Sequence, residues 1–378
     1  MYSLAGYGEM VADGVRMGAY REALQRAVQP GSTVVDLGAG AGILSFLAVR
    51  LGAARVYAIE PGDAIGVARE IALANGIDDR IQFIQGMSER VELPERVDVV
   101  VADLRGVLPP WTGHFAAIAD ARDRLLKEKG ILIPARDTLW VAAVEAPELY
   151  EKLMRGWHDG EFDMAPARRR LVNSWRKARV RPEQLLTGPR QWATVDYQAV
   201  AGPAVHGSVG MGAVRGGTVH GLALWFDAEL LEDVGFSNAP DHPEAIYGHA
   251  FFPLAEPTPL DESDEVDVTI RADLADGEYV WSWDTAIRHR NGTGVKSFRQ
   301  STFHGLPLSP DRLRTRADSF VPALNRQGEI DRAILSLFGT GRTLGDIAAG
   351  VATAFPDRFK DWKSALDRVG KLSGTYNE

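Results

Sequence analysis

Four glycines and two acids fall in one stretch of this chain, Val34 to Pro61. Gly38, Gly40 and Gly42 lie between two apolar runs, Asp36 precedes the first glycine, and Glu60 closes the second run. Glycine lets a chain turn sharply and lets backbone N–H groups approach a ligand closely. A carboxylate about twenty residues past the first glycine can accept hydrogen bonds from a ribose. The chemistry implied is the holding of a nucleotide-type cofactor. The spacing G-x-G-x-G differs from the G-x-G-x-x-G turn of nicotinamide and flavin enzymes. Tight turns in a βαβ unit that binds nothing are the alternative.

The elements that must position these residues follow from pattern. Val34 to Leu37 is a short β-branched run that predicts a buried strand. Ile43 to Leu51 carries apolar residues at helical spacing, and Gly52 suits its C-terminal end. Ala54 to Ile59 predicts a second buried strand. Ala64 to Asn75 reads as a helix, and Ile81 to Ile84 and Val97 to Val101 as further strands. Ahead of them, Met10, Val11, Val15, Ala19, Leu24 and Val28 fit an amphipathic helix broken near Gly14 or Gly18, and Pro30-Gly31 stops it. Such a helix either packs beside the sheet or lies over the cofactor, with Arg16 free to pair a carboxylate.

The chain has 378 residues, a formal charge of −9 and no cysteine. That length supports two or three domains. The acidic balance disfavours duplex nucleic acid and an anionic membrane surface as partners, and suits a cationic or neutral acceptor. Without cysteine there is no disulfide and no thiolate metal site, and no metal is expected. No stretch is long and apolar enough to span a bilayer, and the first residues lack a secretory pattern, so a cytoplasmic enzyme is expected.

The G-x-G-x-G turn preceded by Asp36 is similar to that of S-adenosylmethionine (SAM) methyltransferases. GYGEMVADGVRMGAYREAL, followed by VVDLGAGAGILSFLAVRLGAARVYAIE, resembles the protein arginine methyltransferases. Met10, Asp13, Arg16 and Tyr20 match that family's first helix in order. The resemblance implies that Arg16 holds the SAM carboxylate. Asp36, Gly38 and Gly40 would line the turn, Glu60 would bind the ribose, and Ser88 and Glu89 would lie at the adenine.

The chain departs from the family after the fourth strand. The family carries a loop with two glutamates that clamp a guanidinium. Here the segment reads ADLRGVLPPWTGHF. Asp103 stands at the first glutamate, Leu104 replaces a tryptophan, and no acid falls near Thr112 or Gly113. Arg105 adds a charge that would repel a guanidinium. One short carboxylate is a poor bidentate clamp. Asp103 is the candidate catalytic residue, orienting or deprotonating the acceptor.

From about Thr138 to Thr302, runs such as TVHGLALWFDAEL and EYVWSWDTAIRH alternate with period two and are rich in β-branched and aromatic residues. They predict an antiparallel sheet or barrel, with an irregular insert around Tyr150 to Pro189. Asn291-Gly292 is a hairpin signal. Aligning AFFPL with the family's barrel places its Thr-His-Trp loop at Ala245-Ile246-Tyr247, with all three residues replaced. His249 and His114 are weighed as bases against the commoner role of packed side chains. Arg168, Arg169 and Arg170 are a solvated run or a substrate dock.

Pro307 and Pro310 mark a linker. EIDRAILSLFG, TLGDIAAGVATAF and RFKDWKSALDRVGKL then predict three amphipathic helices, with Thr343 and Asp346 spaced as a capping box. Their order resembles a PqqD-type module, which implies leader-peptide binding; a helical cap or dimer contact is the alternative.

The expected architecture is a Rossmann-like α/β SAM-binding domain with an N-terminal lid helix over 1–137. An antiparallel β-barrel domain over 138–306 and a small helical domain over 312–378 would follow. The expected function is a SAM-dependent methyltransferase acting on an acceptor other than arginine, such as a peptide side chain, and forming a homodimer. A non-catalytic SAM-binding or partner-binding protein is the alternative.

Overall fold

The computed structural model describes residues 3–157, 160–290 and 294–377. The expected turn at Asn291-Gly292 lies outside them. Within residues 1–306, which form one unit, the first sheet contains β1 (Thr33–Leu37), β2 (Arg55–Glu60), β3 (Ile81–Gln85), β4 (Val97–Ala102) and β5 (Leu126–Ile133). All five are parallel, in the order β3-β2-β1-β4-β5. The order reverses between β1 and β4, and an open α/β sheet forms its binding crevice at that switch point.

Two helices precede the sheet, α1 (Leu4–Ala12) and α2 (Gly14–Ala27). The break falls at Asp13, whose Oδ1 accepts from Arg16 N at 3.0 Å and caps α2. Its Oδ2 accepts from Ile246 N at 2.7 Å, so one side chain also fixes the helix to a distant loop. Buried Tyr20, Ala23, Leu24 and Ala27 line the inner face of α2, whereas α1 buries no residue. Next come α3 (Ile43–Arg50), α4 (Ala64–Ala74) and α5 (His114–Asp120). Gly52, at φ +107°, follows α3 as expected.

The barrel region comprises two antiparallel sheets. Its strands are β6 (Arg136–Val144), β7 (Arg176–Ala178), β8 (Arg190–Asp196), β9 (Val205–Gly212), β10 (Gly217–Leu231), β11 (Val234–Ser237), β12 (His249–Leu260), β13 (Glu265–Ala275), β14 (Glu278–His289) and β15 (Gly294–Ser301). One sheet runs β7-β12-β10-β6-β8 with β11 on β10; the other runs β15-β14-β13-β9. The two meet on both flanks. A Cβ at Gly207 on β9 would lie 1.8 Å from Trp192 O on β8, and Gln300 Nε2 on β15 donates to Pro253 O on β12 at 3.0 Å. Phe252, Trp281 and Trp283 fill the space between, with the Phe252 and Trp283 rings edge-to-face at 5.0 Å. The insert carries α6 (Pro147–Met154) and α7 (Ala165–Leu171), and α8 (Thr302–Gly305) ends the unit.

Residues 307–378 form a second unit. After the short α9 (Pro310–Arg314) come α10 (Arg326–Leu335), α11 (Leu344–Ala354) and α12 (Trp362–Tyr376). They enclose their own core of Ile330, Ile334, Ile347, Ala348, Val351, Ala365, Val369 and Leu372. The capping box is formed: Thr343 Oγ1 accepts from Asp346 N at 3.2 Å, and Asp346 Oδ2 from Thr343 N at 3.3 Å. No strand occurs among the described residues of this unit.

Candidate functional site

The glycine turn leaves β1 and enters α3. Gly38 and Gly40 have φ of +72° and +54°, the left-handed region that glycine adopts without strain. The space a side chain would need is filled. A Cβ at Gly38 would lie 2.2 Å from Leu104 Cδ2, and one at Gly40 2.5 Å from the Tyr7 ring. Thus α1 lies over the turn through Tyr7, and the loop after β4 closes on it from the other side through Leu104.

Two carboxylates hold the turn in shape. Asp36 is buried, and its Oδ2 accepts from Ser45 N at 2.8 Å and Ser45 Oγ at 2.7 Å. Burial pushes its pKa up to about 6, against the pull of the Ser45 hydrogen bonds. Its bonded oxygen therefore braces β1 against α3, behind the turn. Glu60, half-buried at the end of β2, accepts from Gly40 N at 3.0 Å and Gly62 N at 2.7 Å, one bond to each oxygen. Each oxygen keeps a lone pair for a further donor. Ser88, buried after β3, donates to the exposed Glu89 at 3.3 Å.

Beside the turn, four charged groups and three phenols form one buried network. Arg16, 5 % exposed, donates through Nε to Asp103 Oδ2 and through Nη1 to Met10 O. Asp103 follows β4 with its side chain 7 % exposed. It also receives Arg105 Nη1 at 3.2 Å and the Tyr247 hydroxyl at 2.7 and 2.8 Å. Arg105 is wholly buried. Its Nε and Nη2 each donate to Asp137, on β6, at 2.8 Å, and its Nη1 donates to the Tyr20 hydroxyl at 2.8 Å. The Tyr20 hydroxyl in turn donates to Ala102 O, and Tyr197 donates to Asp137.

The electrostatics follow from burial and pairing. Burial pushes the Asp103 pKa up, but the charges of Arg16 and Arg105 and the Tyr247 hydrogen bond outweigh it, and the net shift is downward. An ionised, doubly paired carboxylate is a weak base; it suits orientation of an N–H or O–H group better than proton removal. Burial and the neighbouring Asp103 charge hold the Tyr247 phenol well above its usual range. The expectation that Arg105 presents a free charge is corrected: Asp137 neutralises it inside the protein. Tyr247, Asp137 and Tyr197 were missed in the sequence. Only Tyr247 carried a signal, as the replacement for the family's loop tryptophan.

The two histidines are packed. His249 Nδ1 accepts from Val180 N at 2.9 Å and its Nε2 donates to Asn238 O at 2.8 Å, which leaves neither nitrogen for a base. Burial also lowers its pKa. His114 donates from Nδ1 to Pro109 O at 2.8 Å. Burial and the Arg105 charge push it down to about 4. In the basic run, Arg168 donates to Trp157 O and Arg170 to Leu306 O, both at 2.8 Å.

A family model described as ribosomal protein L11 methyltransferase matches residues 21–133, and the arginine methyltransferase oligomerization subdomain matches residues 135–284. This chain is similar to the protein arginine methyltransferases. Probable protein arginine N-methyltransferase 6 of Arabidopsis thaliana is 35% identical over 40% of this chain and 35% of its own length. Protein arginine N-methyltransferase 6 of Xenopus laevis is 33% identical over 40% of this chain and 45% of its own. The chain thus spans less than half the length of these relatives. In fold it resembles protein arginine methyltransferase 10 of Arabidopsis thaliana, with TM-score 0.71 and 22% identity over 79% of this chain and 97% of that one. The Trypanosoma brucei PRMT1 enzyme–prozyme heterotetrameric complex with AdoHcy also reaches TM-score 0.71, at 21% identity over 78% and 96%. The Rossmann-like sheet followed by antiparallel sheets is the architecture they share. No helix among the described residues is long and apolar enough to cross a membrane.

Proposed function

We propose that this chain is a SAM-dependent methyltransferase whose acceptor is not arginine. The observation that carries this reading is the convergence of the glycine turn, Glu60, Arg16 and Asp103 at the carboxyl ends of β1, β2 and β4. The residues fit the cofactor: Gly38 and Gly40 give the turn its left-handed backbone, with Leu104 and Tyr7 packed on them, and Glu60 keeps a lone pair on each oxygen beside it. Arg16 would hold the carboxylate, Gly38 and Gly40 would shape the turn beside the ligand, Glu60 would hold the ribose, and Ser88 and Glu89 the adenine end. Bound SAM supplies an activated methyl group and its own leaving group.

The protein's own part is positioning and exclusion of water. Asp103, kept ionised by two guanidinium groups, accepts a hydrogen bond from the acceptor and so aims its lone pair. Tyr247 and Arg105 fix the carboxylate's plane. The two buried arginines balance Asp103 and Asp137, so the cluster carries no surplus negative charge to attract a cation. That favours a neutral side chain of a peptide or protein. The match to an oligomerization subdomain supports self-association.

The deciding experiment is calorimetry with SAM and S-adenosylhomocysteine, followed by transfer of a labelled methyl group to peptide pools with and without arginine. Binding with transfer to arginine-free pools supports the reading; transfer confined to arginine defeats the acceptor part. A second reading rests on Asp103 being covered on both oxygens: a SAM-binding subunit that acts through a partner. It predicts binding without transfer to any pool. The C-terminal unit would then be the place to seek that partner, and its deletion should leave SAM affinity unchanged.

A further inference from the structure

The Arg105 guanidinium has the surroundings of a recognised ligand. Four of its five N–H donors have partners: two reach Asp137 in a planar fork at 2.8 Å each, one reaches the Tyr20 hydroxyl at 2.8 Å, and one reaches Asp103 Oδ1 at 3.2 Å. Three rings face it, Phe226 at 5.8 Å and Phe236 and Tyr197 at 6.0 Å. Paired carboxylates in a fork and a wall of aromatic faces are what binds a guanidinium ion and distinguishes it from an ammonium. The side chain leaves the loop one residue after Leu104, which packs on Gly38. The cage therefore adjoins the crevice beside the glycine turn.

We propose that Arg105 fills a guanidinium site at the acceptor end of this crevice, so that the chain closes its own pocket against arginine. Arg105 is a specificity-determining residue: it occupies both carboxylates that could clamp an incoming arginine and leaves room only for an uncharged acceptor. The placement at the acceptor end rests on the methyltransferase reading; the guanidinium site itself does not.

Chemical rescue tests both parts without SAM. Arg105→Ala removes the guanidinium and two methylenes, which ethylguanidinium restores. A ligand that binds only the folded state raises its melting temperature. The variant should melt below wild type and regain several degrees in millimolar ethylguanidinium, but not in ethylammonium or urea. Wild type and the Arg105→Ala/Asp137→Asn double variant should gain nothing. Loss of the guanidinium-specific gain overturns the site. An arginine-containing tripeptide should also stabilise Arg105→Ala and not wild type; rescue by ethylguanidinium alone would mean a closed cage and overturn the specificity claim. If Arg105→Ala does not fold, Arg105→Met keeps an apolar stem, and recovery of its folded fraction on refolding with guanidinium is read instead, with absence of recovery counting against the site. Failure of wild type to bind SAM would remove the methyltransferase reading and leave the cage result standing.

Discussion

Tyr247 places its hydroxyl 2.8 Å from Asp103 Oδ1 and 2.7 Å from Oδ2, across 144 residues of sequence. The phenol comes from the loop ahead of β12 and the carboxylate from the end of β4, so this contact ties the barrel region to the parallel sheet at the candidate site. Asp13 makes a second tie to the same loop through Ile246 N. The crevice is thereby held by groups that also shape its chemistry. Tyr247→Phe should leave the fold intact and cost about 1–3 kcal/mol, the range for a buried acceptor that loses one donor. Urea unfolding of variant and wild type measures it, and a difference near zero would show that the hydroxyl is dispensable.

Asp103→Asn tests charge at nearly constant shape. Arg16 and Arg105 would lose the anion between them, and removal of one partner from a buried ion pair typically costs about 3–5 kcal/mol. In the fraction that remains folded, loss of acceptor alignment should lower kcat by about 10²-fold. Measuring both quantities on one preparation separates the roles. Lower stability with kcat preserved in the folded fraction assigns Asp103 to structure alone.

Glu60→Ala should weaken SAM binding by about 1–3 kcal/mol, because donors on the ligand and at Gly40 and Gly62 would all lose their acceptor. Glu60→Gln keeps one carbonyl oxygen and should fall between. Calorimetric affinities that match wild type in both variants would take Glu60 out of the binding site.

Much of this site is readable in the chain because it is local. The run Val34 to Leu37, the glycines and the helix after them keep their spacing in any context, and backbone sterics at Gly38 and Gly40 leave little alternative. Arg16 and Asp103 were legible by their place relative to such elements. The Arg105–Asp137 fork was not. Its partners lie 32 residues apart on a loop and a strand, and no periodicity links them, so Arg105 read as a free charge. The same holds for Tyr247. His249 shows the converse: a suggestive residue type beside the expected loop, with both ring nitrogens engaged by backbone.

His114 supplies a test of pH dependence. It lies at the start of α5, buried, with Nδ1–H bonded to Pro109 O and Nε2 without a hydrogen-bond partner. Burial lowers its pKa to about 4, and Arg105 acts in the same direction, against Pro109, Asp137 and Asp103. In the unfolded chain a histidine titrates near 6.5. Between these values the unfolded state binds the extra proton, so acidification favours unfolding. The stability that neutral His114 allows is complete above about pH 6.5 and is lost as pH falls through about 4, a change of roughly 3 kcal/mol at most. Asp36 works the other way, since its raised pKa of about 6 makes the fold less stable as pH rises from about 3.8, but it is common to variant and wild type. His114→Phe keeps a ring against Phe115 and Tyr197 and removes the titrating nitrogens. The difference in unfolding free energy between wild type and His114→Phe should therefore shift in favour of the variant as pH falls from 6.5 to 4, and be flat from 7 to 8. A difference independent of pH across the acid range would mean that His114 keeps an ordinary pKa and that water reaches it.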